Sequence, residues 1–363
     1  MKIAINTLPI TPNIGGPKTY LVNLIKHLAE IDKKNIYYLF VSPINRLLFK
    51  RAGYNFKEVI LPIYSDNRLL RVLYEQLLIP LYVRKYRIDI LFCPGNIGIF
   101  LAPCKLVVTI HDLHYQTAVK SLDASTRWYH RLMLPMSIRC SDCIIVPSNA
   151  TKCALLERFT LEPCQVQVVY EGVDLSGRSD NPNMNDINVR NYILFVSTLY
   201  PHKNVEKLIL AYAEIKDRIS NPVVIVGRDP GGRVSVLKRL VSSLGVASKV
   251  HFMGRVDHVE RFYRNAIVFV YPSEQEGFGL PLLEAMAHGV AVIGSNRGSV
   301  PEVIGNAGLV VDPDNIYELA EAIFKMVTDE GLRRKFIRRG FERIKQFSWE
   351  KTAKETQRVF EKV

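Results

Sequence analysis

A chain of 363 residues is long enough for two α/β domains that each bury a core, and its composition, 48% hydrophobic and 23% charged without a low-complexity tract, excludes a largely disordered or fibrous protein. The net charge of +13 admits nucleic acid, an anionic membrane face or anionic substrates and does not choose among them. Six cysteines, at 93, 104, 140, 143, 153 and 164, contain one lone Cys-x-x-Cys and no second pair, so reduced thiols are expected rather than a zinc site.

The N-terminal Met1-Lys-Ile-Ala-Ile-Asn6 runs directly into a strand and lacks the apolar core of a signal peptide, which predicts a cytoplasmic protein. A loop containing Gly15-Gly16 follows, and Tyr20, Leu21, Leu24, Ile25 and Leu28 then repeat at helical spacing. That places the glycine pair where a Rossmann phosphate loop stands. The G-x-G-x-x-G fingerprint is absent, so NAD is not indicated.

Residues 45–86 are basic and aromatic over apolar stretches, and none reaches the roughly 20 apolar residues that span a bilayer. This segment reads either as a face that lies on an anionic membrane or as an ordinary core helix with a solvated side. Lys105-Leu-Val-Val-Thr-Ile110 is a buried strand that delivers His111-Asp112-Leu113-His114 to its C-terminal end, where open α/β sheets bind ligands. His111 can bond a hydroxyl or a phosphate, with Asp112 steadying the local geometry. A metal pair of His111 with His114 lacks a third ligand at fitting spacing. After the strand segments at Cys143 and Gln167, residues 176–188 have linker composition, which predicts domains at 1–175 and 189–347.

The second half reopens with the strand Tyr192-Ile-Leu-Phe-Val-Ser197. The loop after it leads through Thr198 to Lys203 at the start of a helix from Val205. A cation there opposes the helix dipole, and a bound diphosphate would account for it. Arg228 follows the strand at Val223, and Arg255 follows the one at Val250. The apolar run Ala266-Ile-Val-Phe-Val-Tyr271 then leads into Ser273-Glu-Gln-Glu-Gly-Phe-Gly-Leu-Pro-Leu-Leu-Glu-Ala285. Gly277 and Gly279 predict a loop, Pro281 the first helical residue and Gly289 the C-cap, so the amides of Phe278, Gly279 and Leu280 face outward from a helix N-terminus. Glu276 and Glu284, with seven residues between them, frame that anion site. Carboxylates accept from hydroxyls, so a ligand with both phosphate and hydroxyls fits, as a nucleotide sugar does.

The pattern Glu276-x7-Glu284 with Gly277-Phe278-Gly279 and Pro281 inside it resembles the signature of the retaining nucleotide-sugar glycosyltransferases of family GT4. The resemblance implies the GT-B fold, α/β with two Rossmann-like domains whose parallel sheets face across a cleft, and a last helix, residues 348–363, returning to the N-terminal domain. It implies that Glu276 holds hydroxyls of the transferred sugar, that Glu284 holds the ribose diol, and that Gly15-Gly16 approaches the donor phosphate. The His111-Asp112 element is similar to the family's site histidine. His111, Glu276 and Lys203 are thus the catalytic candidates. Thr198 stands where the family commonly has an arginine, five residues before Lys203, and Arg228 is the candidate replacement.

Arg255 falls near the nucleobase position, where it is a candidate to stack on the base. The implied reaction moves a hexose to a hydroxyl of a glycan or lipid-linked acceptor without metal or cofactor, and no nucleic acid is expected as partner. The Thr198-Leu-x-Pro-x-Lys-Asn204 pattern is similar to mannosyltransferase-like, surface-polysaccharide members and points to GDP-mannose. Two rivals are a GT-B sugar-nucleotide epimerase, which needs acids and bases at the sugar ring, and a non-catalytic module binding nucleic acid or membrane.

Overall fold

The computed structural model describes residues 1–12, 15–50, 53–63, 68–113, 124–174 and 190–363. The proposed linker at 176–188, His114 and Arg51 lie outside the described residues. The chain divides into two compact units, Met1–Gly172 with Ser348–Val363, and Val173–Phe347.

In the first unit the strands β1 (Lys2–Asn6), β2 (Ile36–Val41), β3 (Phe56–Ile60), β4 (Ile90–Cys93), β5 (Lys105–Thr109), β6 (Cys143–Val146) and β7 (Val166–Val168) form one parallel sheet in the order β3-β2-β1-β4-β5-β6-β7. Their central strands are near-continuous Val, Ile and Leu because a parallel sheet is covered on both faces. Ile5, for example, pairs with Leu39 on one side and Phe92 on the other, and all three are fully buried. The helix Gly16–Ile31 turns Tyr20, Leu21, Leu24, Ile25 and Leu28 inward. It begins at Gly16, one residue ahead of Pro17, because proline is tolerated in a first turn whose amides have no helical partner anyway. Helix Trp349–Lys362 packs in this unit, capped by the Ser348 hydroxyl, which accepts from Lys351 N, and with Phe360 edge-on to Phe92 at 5.3 Å.

The second unit holds β8 (Tyr192–Val196), β9 (Val223–Val226), β10 (Val250–Gly254), β11 (Ala266–Tyr271), β12 (Ala291–Ser295) and β13 (Gly308–Val311) in a parallel sheet of order β10-β9-β8-β11-β12-β13. In each sheet the order reverses beside the first strand, between β1 and β4 and between β8 and β11. Loops leaving such a pair diverge to opposite faces and open a crevice at the C-terminal edge. That physical rule locates the place to look for a site in each unit.

Candidate functional site

The crevice beside β8 and β11 is closely cross-braced. Asn204, in the left-handed conformation at φ 55°, donates from its side chain to the Pro272 carbonyl at 2.9 Å, and Glu274 N donates to the His202 carbonyl at 2.7 Å. Ser295 Oγ donates to the Ser273 carbonyl at 2.5 Å, and Ser299 Oγ donates to the carbonyls of Glu276 and Phe278 at 3.0 and 2.7 Å. Gly298, at φ 55°, lies so close to Glu276 that a Cβ would come within 3.0 Å of its carbonyl oxygen. The loops after three strands therefore fix the backbone of the Glu276 segment.

Across the switch point, Lys203 Nζ donates to Glu276 Oε1 at 2.5 Å, with 13% and 11% of the two side chains exposed. The ammonium also stands 5.8 Å from the centroid of the buried Tyr271 ring. Lys203 closes a 3-10 turn, Pro201–Lys203, ahead of helix Val205–Ile215 rather than starting that helix. The structure supplies an internal partner for a cation that the sequence alone left unpaired.

The helix after the motif runs Leu280–Ala287, with Gly279 as its N-cap at φ 110°, a conformation that side-chain-bearing residues rarely adopt. Pro281 is the second helical residue, one later than expected. Gly289, at φ 72°, follows the His288 C-cap. The amides of Gly279 and Leu280 occupy the end of the helix where donors lack intrahelical acceptors. Gly277 is partly buried, and Phe278 is buried with its ring edge-on to Phe347 at 5.7 Å.

One helical turn further on, Glu284 accepts from the Tyr263 hydroxyl at 2.9 Å. Burial raises the Glu284 pKa, partly offset by that hydrogen bond. Burial, then the charge and hydrogen bond of Glu284, hold Tyr263 well above the usual phenol range, so it remains a donor.

Thr198 and Arg228 leave adjacent strands, β8 and β9, and the neighbouring Leu199 N donates to the Arg228 carbonyl at 2.8 Å. Arg255 is exposed just after β10, at the far side of β9 from β8. Arg228, Arg255, Lys203 and Glu276 all follow strand ends on one edge of one sheet. The Thr198–Arg228 neighbourhood is a backbone fact.

In the first unit, Gly15 caps helix Gly16–Ile31 at φ −82°, and a Cβ at either Gly15 or Gly16 would meet no described atom within 4 Å. His111, beyond β5, is largely buried. Its Nε2 lies 2.9 Å from the Pro94 carbonyl and its Nδ1 3.4 Å from Glu171 Oε1, while its backbone N donates to Asn96 Oδ1 at 2.8 Å. Glu171 and Asn96 are functional candidates that sequence reasoning missed. Glu171 stands 60 residues from His111, and the signal was its place three residues past the end of a strand, in Tyr170-Glu-Gly172. Glu75 was also missed as a titrating group. It is fully buried, 3.1 Å from Arg71 Nε and 3.3 Å from Asn6 Nδ2, and burial pushes its pKa up to about 7 despite Arg71. Among the described residues no cluster of three or more His, Cys, Asp or Glu could hold a metal ion.

Two family models match the chain: "Glycosyltransferase Family 4" over residues 14–176 and "Glycosyl transferases group 1" over residues 179–343. Among curated proteins, the chain is 28% identical to the O-antigen chain mannosyltransferase B of Escherichia coli, with 98% of each chain covered. Among solved structures, it is similar to sucrose-phosphate synthase from Thermosynechococcus elongatus, with TM-score 0.78 and 22% identity over 100% of this chain and 98% of that one. It is also similar to the Anabaena protein HepE in complex with UDP, with TM-score 0.76 and 18% identity over the whole of both chains.

Proposed function

We propose, for a chain that belongs to the family 4 glycosyltransferases and has their GT-B fold of two Rossmann-like units, that it moves mannose from GDP-mannose to a hydroxyl of a glycan or lipid-linked acceptor, with retention at the anomeric carbon. The observation that carries this reading is the Lys203–Glu276 pair at the β8/β11 switch point, with Glu284 on the helix that follows. A nucleoside diphosphate sugar presents both anions and hydroxyls. Lys203 and the amides of Gly279 and Leu280 suit its diphosphate, Glu276 the hydroxyls of the transferred sugar, and Glu284 the ribose diol.

A Cβ at Gly15 or Gly16 would meet no described atom within 4 Å, and this open space supports assigning the pair to close approach by a phosphate. Arg228 is assigned the charge that Thr198 lacks, and Arg255 the base. Mannose is supported by the likeness to the O-antigen mannosyltransferase over nearly the full chain. The leaving phosphate takes the acceptor proton on the same face. Neither an epimerase nor a nucleic-acid module is favoured by a chain with these relatives.

Incubating the protein with a panel of nucleotide sugars and lipid-linked or soluble glycan acceptors, with products read by mass spectrometry, tests this. GDP-mannose is expected to give a product one hexose heavier. Because Lys203 and backbone dipoles supply the electrostatic stabilisation, EDTA is expected to leave turnover unchanged. Abolition by EDTA with rescue by manganese would overturn the metal-independent part.

A membrane setting for the acceptor is favoured by one further observation. Along helix Arg68–Tyr86, Leu73, Leu77 and Leu81 are more than half exposed, while Ile79 and Val83 of the same helix fill the core. Gln76 of this helix bonds the backbone of Gly98 and Phe100, and Ser137 Oγ bonds Gly98 N, so the loop bearing the 80%-exposed Leu101 lies between this helix and Ala124–Cys140, which exposes Leu132. Exposed Arg84, Lys85, Arg87 and Arg131 accompany this surface. Exposed leucines and exposed cations on the same chain segments fit an anionic lipid face, where each basic residue contributes about 1 kcal/mol. Among the described residues no helix is long and apolar enough to cross a membrane.

Arg46, at the start of the basic segment 45–86, is instead engaged by Glu58 at 3.5 Å. Leu73→Glu with Leu77→Glu is expected to weaken sedimentation with phosphatidylglycerol vesicles at least tenfold at low salt. Wild-type protein that ignores such vesicles would defeat the membrane reading.

A further inference from the structure

The two ring nitrogens of His111 both face acceptors. A backbone carbonyl cannot donate, so the 2.9 Å contact of Nε2 with the Pro94 carbonyl requires a proton on Nε2. As a carboxylate Glu171 only accepts, so its Oε1, 3.4 Å from Nδ1, calls for a proton on Nδ1 as well. A neutral imidazole has one N–H and can serve one of these partners. The edge-to-face contact with the Tyr20 ring, at 5.0 Å between centroids, is also one that a cation favours.

We propose that Glu171 is a positioning residue that keeps His111 as an imidazolium, and that this buried cation at the C-terminal edge of the first unit's sheet supplies fixed positive charge to an anionic ligand, an assignment that rests on the nucleotide-sugar reading. His111 then acts by charge, with both nitrogens committed inside the chain, rather than by donating a free N–H to a sugar hydroxyl.

The titratable groups facing the ring are Glu171 after β7, Asp112 on its own loop and the Tyr20 phenol on helix Gly16–Ile31, which shares a hydrogen bond with Thr109. Burial is the largest influence and disfavours the charged ring. The hydrogen bond and charge of Glu171, the Pro94 carbonyl and the charge of Asp112 together outweigh it, and the net pKa is raised above 6.5. The stabilisation from the charged pair is therefore complete below the unfolded-state value and is lost as pH rises through the raised one. With Glu171 neutralised, burial acts with much less opposition and the ring gives up its proton at lower pH.

The test is nitrogen-15 NMR of the full chain labelled at its eight histidines, with His111 assigned by the signal lost in His111→Gln. At neutral pH wild-type His111 is expected to show protons on both ring nitrogens. In Glu171→Gln it should titrate at lower pH, and in Glu171→Asp it should return toward wild type. The alkaline limb of kcat/KM should move with it, a tenfold loss of charged ring for each pH unit displaced. A wild-type ring with one protonated nitrogen at neutral pH overturns the proposal, as does a Glu171→Gln ring that titrates like wild type. If Glu171→Gln does not fold, the wild-type spectrum decides alone. A charged His111 in a protein that transfers no sugar would leave this pair standing and remove the donor reading instead.

Discussion

Replacing Lys203 with Ala is expected to lower kcat about 10²–10³-fold, the cost of removing one preorganised group that stabilises charge growing in the transition state. The ammonium is 13% exposed, 2.5 Å from Glu276, and held by a 3-10 turn whose neighbour Asn204 is bonded to the strand-end residue Pro272. A group so fixed needs no reorganisation when the sugar–phosphate bond breaks. The substitution also leaves Glu276 without its cation beside an incoming diphosphate, so like-charge repulsion adds to the loss. Glu276→Gln should lower kcat as well, through the sugar hydroxyls, but should partly compensate in the double variant because the orphaned charge is gone. Single-turnover rates at saturating GDP-mannose, with far-ultraviolet circular dichroism as a folding control, decide this. Turnover of Lys203→Ala within threefold of wild type would remove Lys203 from the chemistry.

Glu284→Gln is expected to raise KM for the donor roughly 10- to 100-fold with a much smaller change in kcat, because hydrogen bonds to a charged group contribute about 1.5–3 kcal/mol. Glu284 lies on the helix Leu280–Ala287, set back from the reacting end, and its Oε2 is anchored by the Tyr263 hydroxyl at 2.9 Å. The amide oxygen of Gln still accepts from Tyr263, so the local fold is kept while the charge assigned to the diol is lost. Burial raises the Glu284 pKa, so donor KM should also climb on the acid side as the carboxylate takes up its proton, and this climb should vanish in the variant. A kcat effect as large as that of Glu276→Gln would merge the two carboxylates into one role and contradict their separation.

The sheets were legible because parallel strands buried on both faces leave short apolar runs, such as Ala266–Tyr271 and Leu106-Val-Val108, bounded by loop residues. Glu276 and Glu284 were legible because their chemistry is packed into one short segment. The partners were not. Lys203 meets Glu276 from 73 positions away and His111 meets Glu171 from 60, and no local periodicity encodes such pairings.

The leucine surface was hidden for a different reason. Helix Arg68–Tyr86 carries apolar residues around most of its circumference, so spacing alone could not say that Ile79 and Val83 face the core and Leu73, Leu77 and Leu81 do not. Pro281 was misplaced by one residue because Gly279 takes a left-handed cap and lets Leu280 begin the helix. These are tertiary decisions, made by what packs against the segment.

The central claim is that this site transfers mannose with retention. Proton NMR of the linkage formed from GDP-α-mannose tests it most directly, on the product isolated from the donor panel. The expected result is an α-mannosyl linkage, with GDP released in equal amount. A β-linked product, or consumption of another nucleotide sugar while GDP-mannose stays intact, would contradict it.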